Sequence, residues 1–390
     1  MLANIYTFFS KFIFNIFYIT SYLFPKNENL ILFSAWNGRR YSDNTRSIFE
    51  YALENRTDFN VCWLVKDKPL YTELVKKGIP VAYAYSCQGV YFQLRAKVIV
   101  YTHSIDWEYM SYLINGNTKK VQTWHAIPMK HIGLDDKRIV RNKNREFILN
   151  LLFLYRNEKH DLVLANGDFD SEICVTAFNI EPENIKITGY PKHDEIINSI
   201  KDNGLTNKVV YMPTFRGEPY TDFKLFEQID TDFISINNRL QELDVELHIR
   251  LHPVNSFKTE DLMMINSLSN IYTDKGGEFS VNDYDVLITD FSGAFFEFML
   301  TNKPIIMAPF NLEQYLEKDR KLYYEYSYFA PLEVCQNWEE VINQIHNIKH
   351  GDYCMDKYFS LKSKFHKYTD SNSSERAFSE IIKLCESKVE

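Results

Sequence analysis

From residue 30 onward, short apolar runs alternate with stretches of helical pattern, and this alternation restricts the chain to one class of fold. ILFSAW (31–36), VCWLV (61–65), VIVY (98–101), VQTW (121–124), DLVLA (161–165) and IKIT (185–188) read as strands. Helical patterns such as NTRSIFEYALE, PLYTELVKK and SCQGVYFQLRA lie between them. Such a series builds a largely parallel sheet with helices on both faces. GYPKHDEI (189–196) punctuates it with Gly and Pro, and the polar segment KDNGLTNK (201–208) reads as a linker. A second series follows: KVVYMP (208–213), a long polar helix over 221–242, VELHIRLHP (245–253), NIYT (270–273), DVLITD (285–290) and KPIIMA (303–308). The expected architecture is α/β, with doubly wound parallel-sheet domains at 26–200 and 201–336 facing a cleft, then a helical tail at 337–390. Asp168 in GDFDSEICVTAF is expected to cap a helix.

Residues 2–24 depart from this pattern. They carry one charge, Lys11, and no acid, and their length would suit a membrane-spanning helix. However, Asn4, Thr7, Lys11 and Asn15 recur three and four residues apart, which puts one polar stripe on an aromatic and aliphatic cylinder. That is the pattern of a helix lying in a membrane interface, so residues 1–25 are expected to be an amphipathic membrane-surface helix. A helix packed on the domain is the plainer alternative. A signal peptide fits poorly, because the charge falls inside the apolar run and no small-residue cleavage site follows.

Composition narrows the chemistry. A net charge of −8 argues against nucleic acid as a partner. Glycine is sparse at 13 residues, and no glycine-rich phosphate-loop motif occurs. The six cysteines have no CxxC pairing and several sit in apolar runs, which suits a reducing cytosol.

Polar residues at strand ends are the candidate site. In TWHAIPMKHIG (123–133), His125 directly follows a strand and precedes a proline turn, where open α/β sheets bind ligands. It can be a general base there, or simply pack beside Trp124. In DVLITDFSGAFFEFMLTNKPIIM (285–307), a strand ends in Asp290, and Ser292 and Gly293 turn into a helix whose N-terminus attracts phosphate. Helix capping by Asp290 or Ser292 explains the same residues equally well. In HIRLHP (248–253), alternation puts His248, Arg250 and His252 on one face, with Arg250 and His252 near the ligand end. YMPTFRGE (211–218) places Thr214 and Arg216 similarly, and an arginine fork suits phosphate. Residues 119–145 carry Lys119, Lys120, Lys130, Lys137, Arg138, Arg141, Lys143 and Arg145 against Asp135 and Asp136. This basic patch suits an anionic membrane or a pyrophosphate-bearing molecule. The DxD pairs Asp168/Asp170, Asp230/Asp232 and Asp283/Asp285 make no convincing metal site, and no protein-built metal centre or cofactor is expected.

WHAIPMKHIGLDD, GYPKHDE, YMPTFR, HIRLHP, DVLITDFSGAFFEFMLTNKPIIM and DRKLYYEY, in that order, resemble the CDP-glycerol glycerophosphotransferase family of teichoic-acid and capsule synthesis. SAWNGRRYSDNTRSIFEYAL (34–53) also looks like the family's N-terminal pattern. The resemblance implies a GT-B fold of two Rossmann-like domains, with the acceptor handled mainly on the first and a CDP-alditol donor on the second. It implies that His125 is the general base and His252 a second catalytic histidine near the pyrophosphate. Thr214, Arg216, Arg250, Asp290, Ser292, Gly293 and Arg320 then serve the donor, and Lys130 and Asp135 the acceptor or membrane side.

The implied reaction is transfer of an alditol phosphate to a lipid-linked saccharide or growing polymer with release of CMP. The implied location is cytoplasmic, attached to the inner face of the cell membrane. Chain length suits addition of one or few units. Departures from the family's HGTPLK motif (Ala126, Ile127, Met129), and Gly293, Asn311 and Lys321, fall where the alditol phosphate would sit. Ribitol or another polyol therefore stands beside glycerol. Two rival functions are a nucleotide-sugar glycosyltransferase of the same fold and a membrane-bound assembly factor without activity.

Overall fold

The computed structural model describes residues 12–137, 143–156, 159–201, 204, 206–214, 221–223, 232–251, 255–274, 280–310, 312–318 and 321–386. Its contacts divide the chain into two compact units. One is built from residues up to 126, 133–195 and 366 onward, the other from 127–132 and 196–365.

The first unit contains a seven-stranded sheet: β1 (Asn27–Phe33), β2 (Asn60–Val65), β3 (Val81–Tyr83), β4 (Ala96–Tyr101), β5 (Lys119–Gln122), β6 (Leu162–Ala165) and β7 (Ile185–Ile187). Their order is β3-β2-β1-β4-β5-β6-β7, and every pairing is parallel. All six residues of β4 are buried, as a strand covered by helices on both faces requires. Edge strand β3 is new relative to the sequence reading, because three residues (VAY) with one buried alanine leave no readable pattern. The order reverses between β1 and β4, and ligands of doubly wound sheets bind at the carboxyl ends beside such a reversal.

The expected continuous tail at 337–390 is divided between the units. Helices Trp338–His350 and Asp356–Phe365 belong to the second unit, whereas Ser373–Glu386 returns to the first. The reason is hydrophobic. Ala377, Phe378, Ile381 and Cys385 lie on one face of that last helix and complete the core formed by Ile31, Phe33, Phe49 and Trp63.

The second unit has a five-stranded parallel sheet of β8 (Lys208–Met212), β10 (Glu246–Ile249), β12 (Ile271–Thr273), β13 (Val286–Thr289) and β14 (Ile305–Met307), ordered β12-β10-β8-β13-β14. The long helix expected over 221–242 is corrected. Thr221–Phe223 is strand β9, paired in parallel with β11 (Asn255–Phe257), and the helix spans only Phe233–Glu242. Asp232 starts it by accepting from the amides of Ile234 and Ser235, each at 3.1 Å. Helix Trp338–His350 covers the sheet with Trp338, Val341, Ile342 and Ile345, and stops at Gly351, whose φ of +79° suits glycine.

Two smaller expectations also change. Helix Asp168–Phe178 is held at its start by Asp170 rather than Asp168, because Asp170 accepts from the amides of Asn166 (2.8 Å) and Gly167 (2.7 Å). The N-terminal helix is described over 12–20; Asn4, Thr7 and Lys11 of the expected polar stripe lie outside the described residues, and Asn15 faces the protein. Asn15 donates to the Leu152 carbonyl at 2.6 Å and accepts from the Leu154 amide at 3.0 Å. Phe12, Ile13, Ile16, Phe17 and Ile19 point outward and are about half exposed. Among the described residues, no helix is long and apolar enough to cross a membrane.

Candidate active site

His125 lies three residues beyond the carboxyl end of β5, within a cluster of aromatic rings. His103, which follows β4, stacks on it with centroids 4.5 Å apart and planes 14° from parallel. Trp124 and Trp36 flank it at 4.4 and 5.3 Å. His125 is thus partly exposed, with walls that exclude water from much of its surroundings.

Polar contacts fix these rings. Glu108 is fully buried, and its carboxylate accepts from the Thr102 amide (3.1 Å), the Thr102 hydroxyl (2.7 Å) and the His103 amide (2.8 Å). The Thr102 hydroxyl in turn meets His103 Nδ1 at 2.8 Å. Buried Asn44 donates to the carbonyls of Thr123 (3.2 Å) and Trp124 (3.1 Å), tying the helix Asp43–Asn55 to the strand end. Lys192 donates to the His125 carbonyl at 2.7 Å and lies 3.4 Å from Asp43, which accepts from the Trp36 indole. The Tyr190 hydroxyl donates to the Ala126 carbonyl at 3.2 Å. GYPKHDEI is therefore a wall of this site as well as punctuation.

The backbone around His125 is strained. Trp36, Asn37, Asp43 and Trp124 all have left-handed φ, between +49° and +65°. Such non-glycine conformations cost on the order of 1–3 kcal/mol each and concentrate where a side chain must be aimed. Two of them, Trp36 and Trp124, carry the rings that flank His125.

In the second unit, Asp290 organises the strand ends. It is fully buried, and its Oδ1 accepts from the Thr214 amide (2.7 Å), the Thr214 hydroxyl (2.5 Å) and the Phe291 amide (2.6 Å). The Tyr326 hydroxyl donates to its carbonyl at 2.8 Å. Asp290 thus ties the end of β8 to the turn after β13, and leaves partly exposed Ser292 and exposed Gly293 at the surface of that turn. The helix that follows, Ala294–Met299, is short. Arg250 directly follows β10, with its guanidinium on Asp274 at 2.9 Å, and the Tyr284 hydroxyl donates to the same carboxylate at 3.2 Å. His248 is engaged by Glu246 at 3.0 Å and stacked on Tyr272.

Lys130 lies in the second unit rather than with the first. Residues 127–132 join the second unit because His131 N–H donates to the Lys321 carbonyl (2.8 Å) and Tyr323 N–H to the Met129 carbonyl (3.1 Å). Lys130 reaches the Tyr315 hydroxyl and sits 4.9 Å from that ring, which stacks on Phe291 at 3.8 Å. It therefore stands beside the Asp290 turn. Asp135 stays in the first unit and accepts from the Thr176 hydroxyl at 2.8 Å. Asp285 accepts from the amides of Thr206 (2.8 Å) and Asn207 (2.7 Å) and so has a structural role. Arg216, His252 and Arg320, three of the residues singled out from the sequence, lie outside the described residues.

The first site holds a histidine where it can take a proton, and the second presents hydroxyls, a turn and cations where phosphates can bind. His103, Glu108, Asn44, Asp43 and Lys192 were not singled out from the sequence. Asn44, Asp43 and Lys192 fall in the quoted SAWNGRRYSDNTRSIFEYAL and GYPKHDE stretches, whereas His103 and Glu108 lie in none of the quoted motifs.

A family model described as CDP-Glycerol:Poly(glycerophosphate) glycerophosphotransferase matches residues 16–383. A teichoic acid glycerol-phosphate transferase of Staphylococcus aureus is 26% identical over 377 residues, covering 92% of this chain and 94% of that protein. A teichoic acid poly(ribitol-phosphate) polymerase of Bacillus spizizenii is 23% identical, covering 92% and 57%. Among solved structures, a variant of the wall teichoic acid polymerase TagF soaked with CDPG superposes with a TM-score of 0.66 at 18% identity, covering 92% of this chain and 89% of that one. The two parallel-sheet units are those of a GT-B fold.

Proposed function

The chain belongs to the CDP-glycerol:poly(glycerophosphate) glycerophosphotransferase family and is an alditol-phosphate transferase; we propose that it moves glycerol phosphate from CDP-glycerol to a hydroxyl of a lipid-linked saccharide or growing polymer. The observation that carries this reading is the placement of His125, aimed by strained backbone and held by Lys192 and stacked His103.

The acceptor oxygen attacks the alditol-bearing phosphorus, and the bond from that phosphorus to the bridging oxygen breaks. CMP leaves with the bridging oxygen and its electron pair. His125 takes the acceptor proton as the new bond forms, the role in which a positioned base contributes about 10²–10⁴-fold. The rest of the catalysis is positioning and charge stabilisation. Thr214, Ser292, Gly293, Arg250 and Lys130 are the described groups suited to the diphosphate, with Arg216, His252 and Arg320 assigned to it from the resemblance. Asp290 acts by holding Thr214 and the turn in place.

The acceptor's lipid explains the outward-facing helix. Residues 12–20 and the helix Lys143–Leu152 are joined through Asn15, and together expose Phe12, Ile16, Ile19, Ile148 and Leu151. A membrane surface is the occupant whose chemistry fits this apolar face. The protein then works attached to the inner face of the cell membrane.

The experiment is CMP release from CDP-glycerol and from CDP-ribitol, each with a lipid-linked disaccharide acceptor, beside thermal protection by CDP and by UDP. Acceptor-dependent CMP from CDP-glycerol, with protection by CDP alone, is the expected result. CMP from CDP-ribitol only would correct the alditol. Protection by UDP alone would replace the reading with nucleotide-sugar transfer.

A further inference from the structure

The carboxyl ends of β1 and β4 flank the reversal of strand order in the first sheet. Trp36 follows β1 and His103 follows β4, and their rings lie 4.6 Å apart. Several contacts fix Trp36 there. Its amide donates to the Thr102 hydroxyl at 3.2 Å, its indole donates to Asp43, and its ring lies 5.3 Å from that of His125. The Arg40 guanidinium sits over the same indole, 4.8 Å from the centroid. The two ring distances put it within about 10 Å of the His125 imidazole.

The turn that carries Arg40 is held in place. Trp36, Asn37 and Gly38 have consecutive left-handed φ values, from +49° to +69°. Gly38 donates to the Ala35 carbonyl at 3.0 Å and accepts from the Lys66 amide at 2.7 Å, and a Cβ on it would stand 2.9 Å from the Lys66 nitrogen. Other charges around the turn are engaged within the fold. Lys66 gives its ammonium to the carbonyls of Trp107 (2.8 Å) and Tyr109 (2.7 Å). Lys192 meets the His125 carbonyl and Asp43, and Asp43 also takes the Trp36 indole. Arg40 differs: it is exposed, and among the described residues no carboxylate pairs with it. A guanidinium over an aromatic ring is weakly hydrated and keeps its N–H fork for an oxyanion.

We propose that Arg40 binds the last phosphodiester of an acceptor that already ends in glycerol phosphate, a role that rests on the transfer reaction proposed above. In such an acceptor the terminal hydroxyl and the phosphorus are separated by the glycerol carbons, about 6 Å when extended. With that hydroxyl at His125, the phosphodiester falls within reach of the guanidinium. An unmodified saccharide end places no charge at that distance. Arg40 is thus a specificity-determining residue that favours an acceptor carrying glycerol phosphate over a bare saccharide.

The test compares the full chain with its Arg40→Gln variant in a binding arm and a turnover arm. Titration calorimetry uses a short poly(glycerol phosphate) oligomer beside neutral polyglycerol of the same length. Turnover is CMP release from CDP-glycerol with a lipid-linked disaccharide, either bare or bearing a glycerol phosphate unit. Arg40→Gln should weaken oligomer binding about tenfold and lower the kcat/KM preference for the glycerol phosphate-bearing acceptor by a similar factor, with the melting temperature unchanged. Equal oligomer affinity in wild type and folded variant overturns the proposal. So does an equal loss toward neutral polyglycerol, an unchanged acceptor preference, or no oligomer binding by the wild type. Absence of CMP from the wild type with both acceptors overturns the transfer reading instead, and the binding arm still decides the role of Arg40.

Discussion

The rings of His103 and His125 lie face to face, 4.5 Å between centroids, with His103 held from behind by the Glu108 and Thr102 contacts. That stack fixes the orientation of the His125 ring. A base at His125 therefore depends on its neighbour. His103→Ala should lower kcat by about tenfold or more, leave KM within about threefold, and shift the pH profile of kcat. Steady-state kinetics from pH 5.5 to 8.5 checks this. A variant with wild-type kcat and profile would make the stack a packing feature only.

Asp290 offers a graded test of the second site. Asp290→Ala leaves the Thr214 and Phe291 donors without their acceptor in a buried place, and should cost about 3 kcal/mol of stability. Asp290→Asn keeps one oxygen for them and should cost about 1 kcal/mol. Urea midpoints at constant slope measure both, and CDP affinity should fall in the same order.

Acid should destabilise the first unit through His160. Its folded value is about 4, below the ordinary 6.5, because burial disfavours the charged form. The unfolded chain thus takes up a proton near pH 6.5 that the folded chain refuses. The contribution is present above 6.5 and is lost as pH falls toward 4, at about 3 kcal/mol in full. Asp170, raised by burial to about 6, works in the opposite sense below that pH. Comparing wild type with His160→Phe removes it from the difference. Urea midpoints at pH 7 and 4.5 should show a smaller acid loss in the variant, and equal losses would contradict the assignment.

The outward apolar face predicts a membrane phenotype. Leu23 is 79% exposed and Leu151 69%. Burying one leucine is worth about 1.5–3 kcal/mol, so Leu23→Asp/Leu151→Asp should weaken vesicle binding by about tenfold or more without changing the melting temperature. Pelleting with vesicles measures it.

The sheets were legible because parallel strands buried on both faces are written as apolar runs, and β1, β2, β4, β8 and β13 stand where those runs predict. β3, β9 and β11 were not, since VAY, TDF and NSF carry no isoleucine or leucine, unlike the equally short β7, β12 and β14. His125 was legible from its place at a strand end. Its supports were not, because Asn44, Glu108 and Lys192 come from distant parts of the chain and meet only after the sheet forms. The direction in which Asn15 points was not legible either. Only the contacts with Leu152 and Leu154 show that it turns inward.

The most direct measurement is acceptor-dependent CMP release from CDP-glycerol by wild type and His125→Ala, with CDP binding measured on both. A fall of about 10²-fold or more in the variant, with CDP affinity and melting temperature unchanged, is the predicted result. Wild-type CMP release by a correctly folded His125→Ala protein would contradict the assignment of His125 as the base.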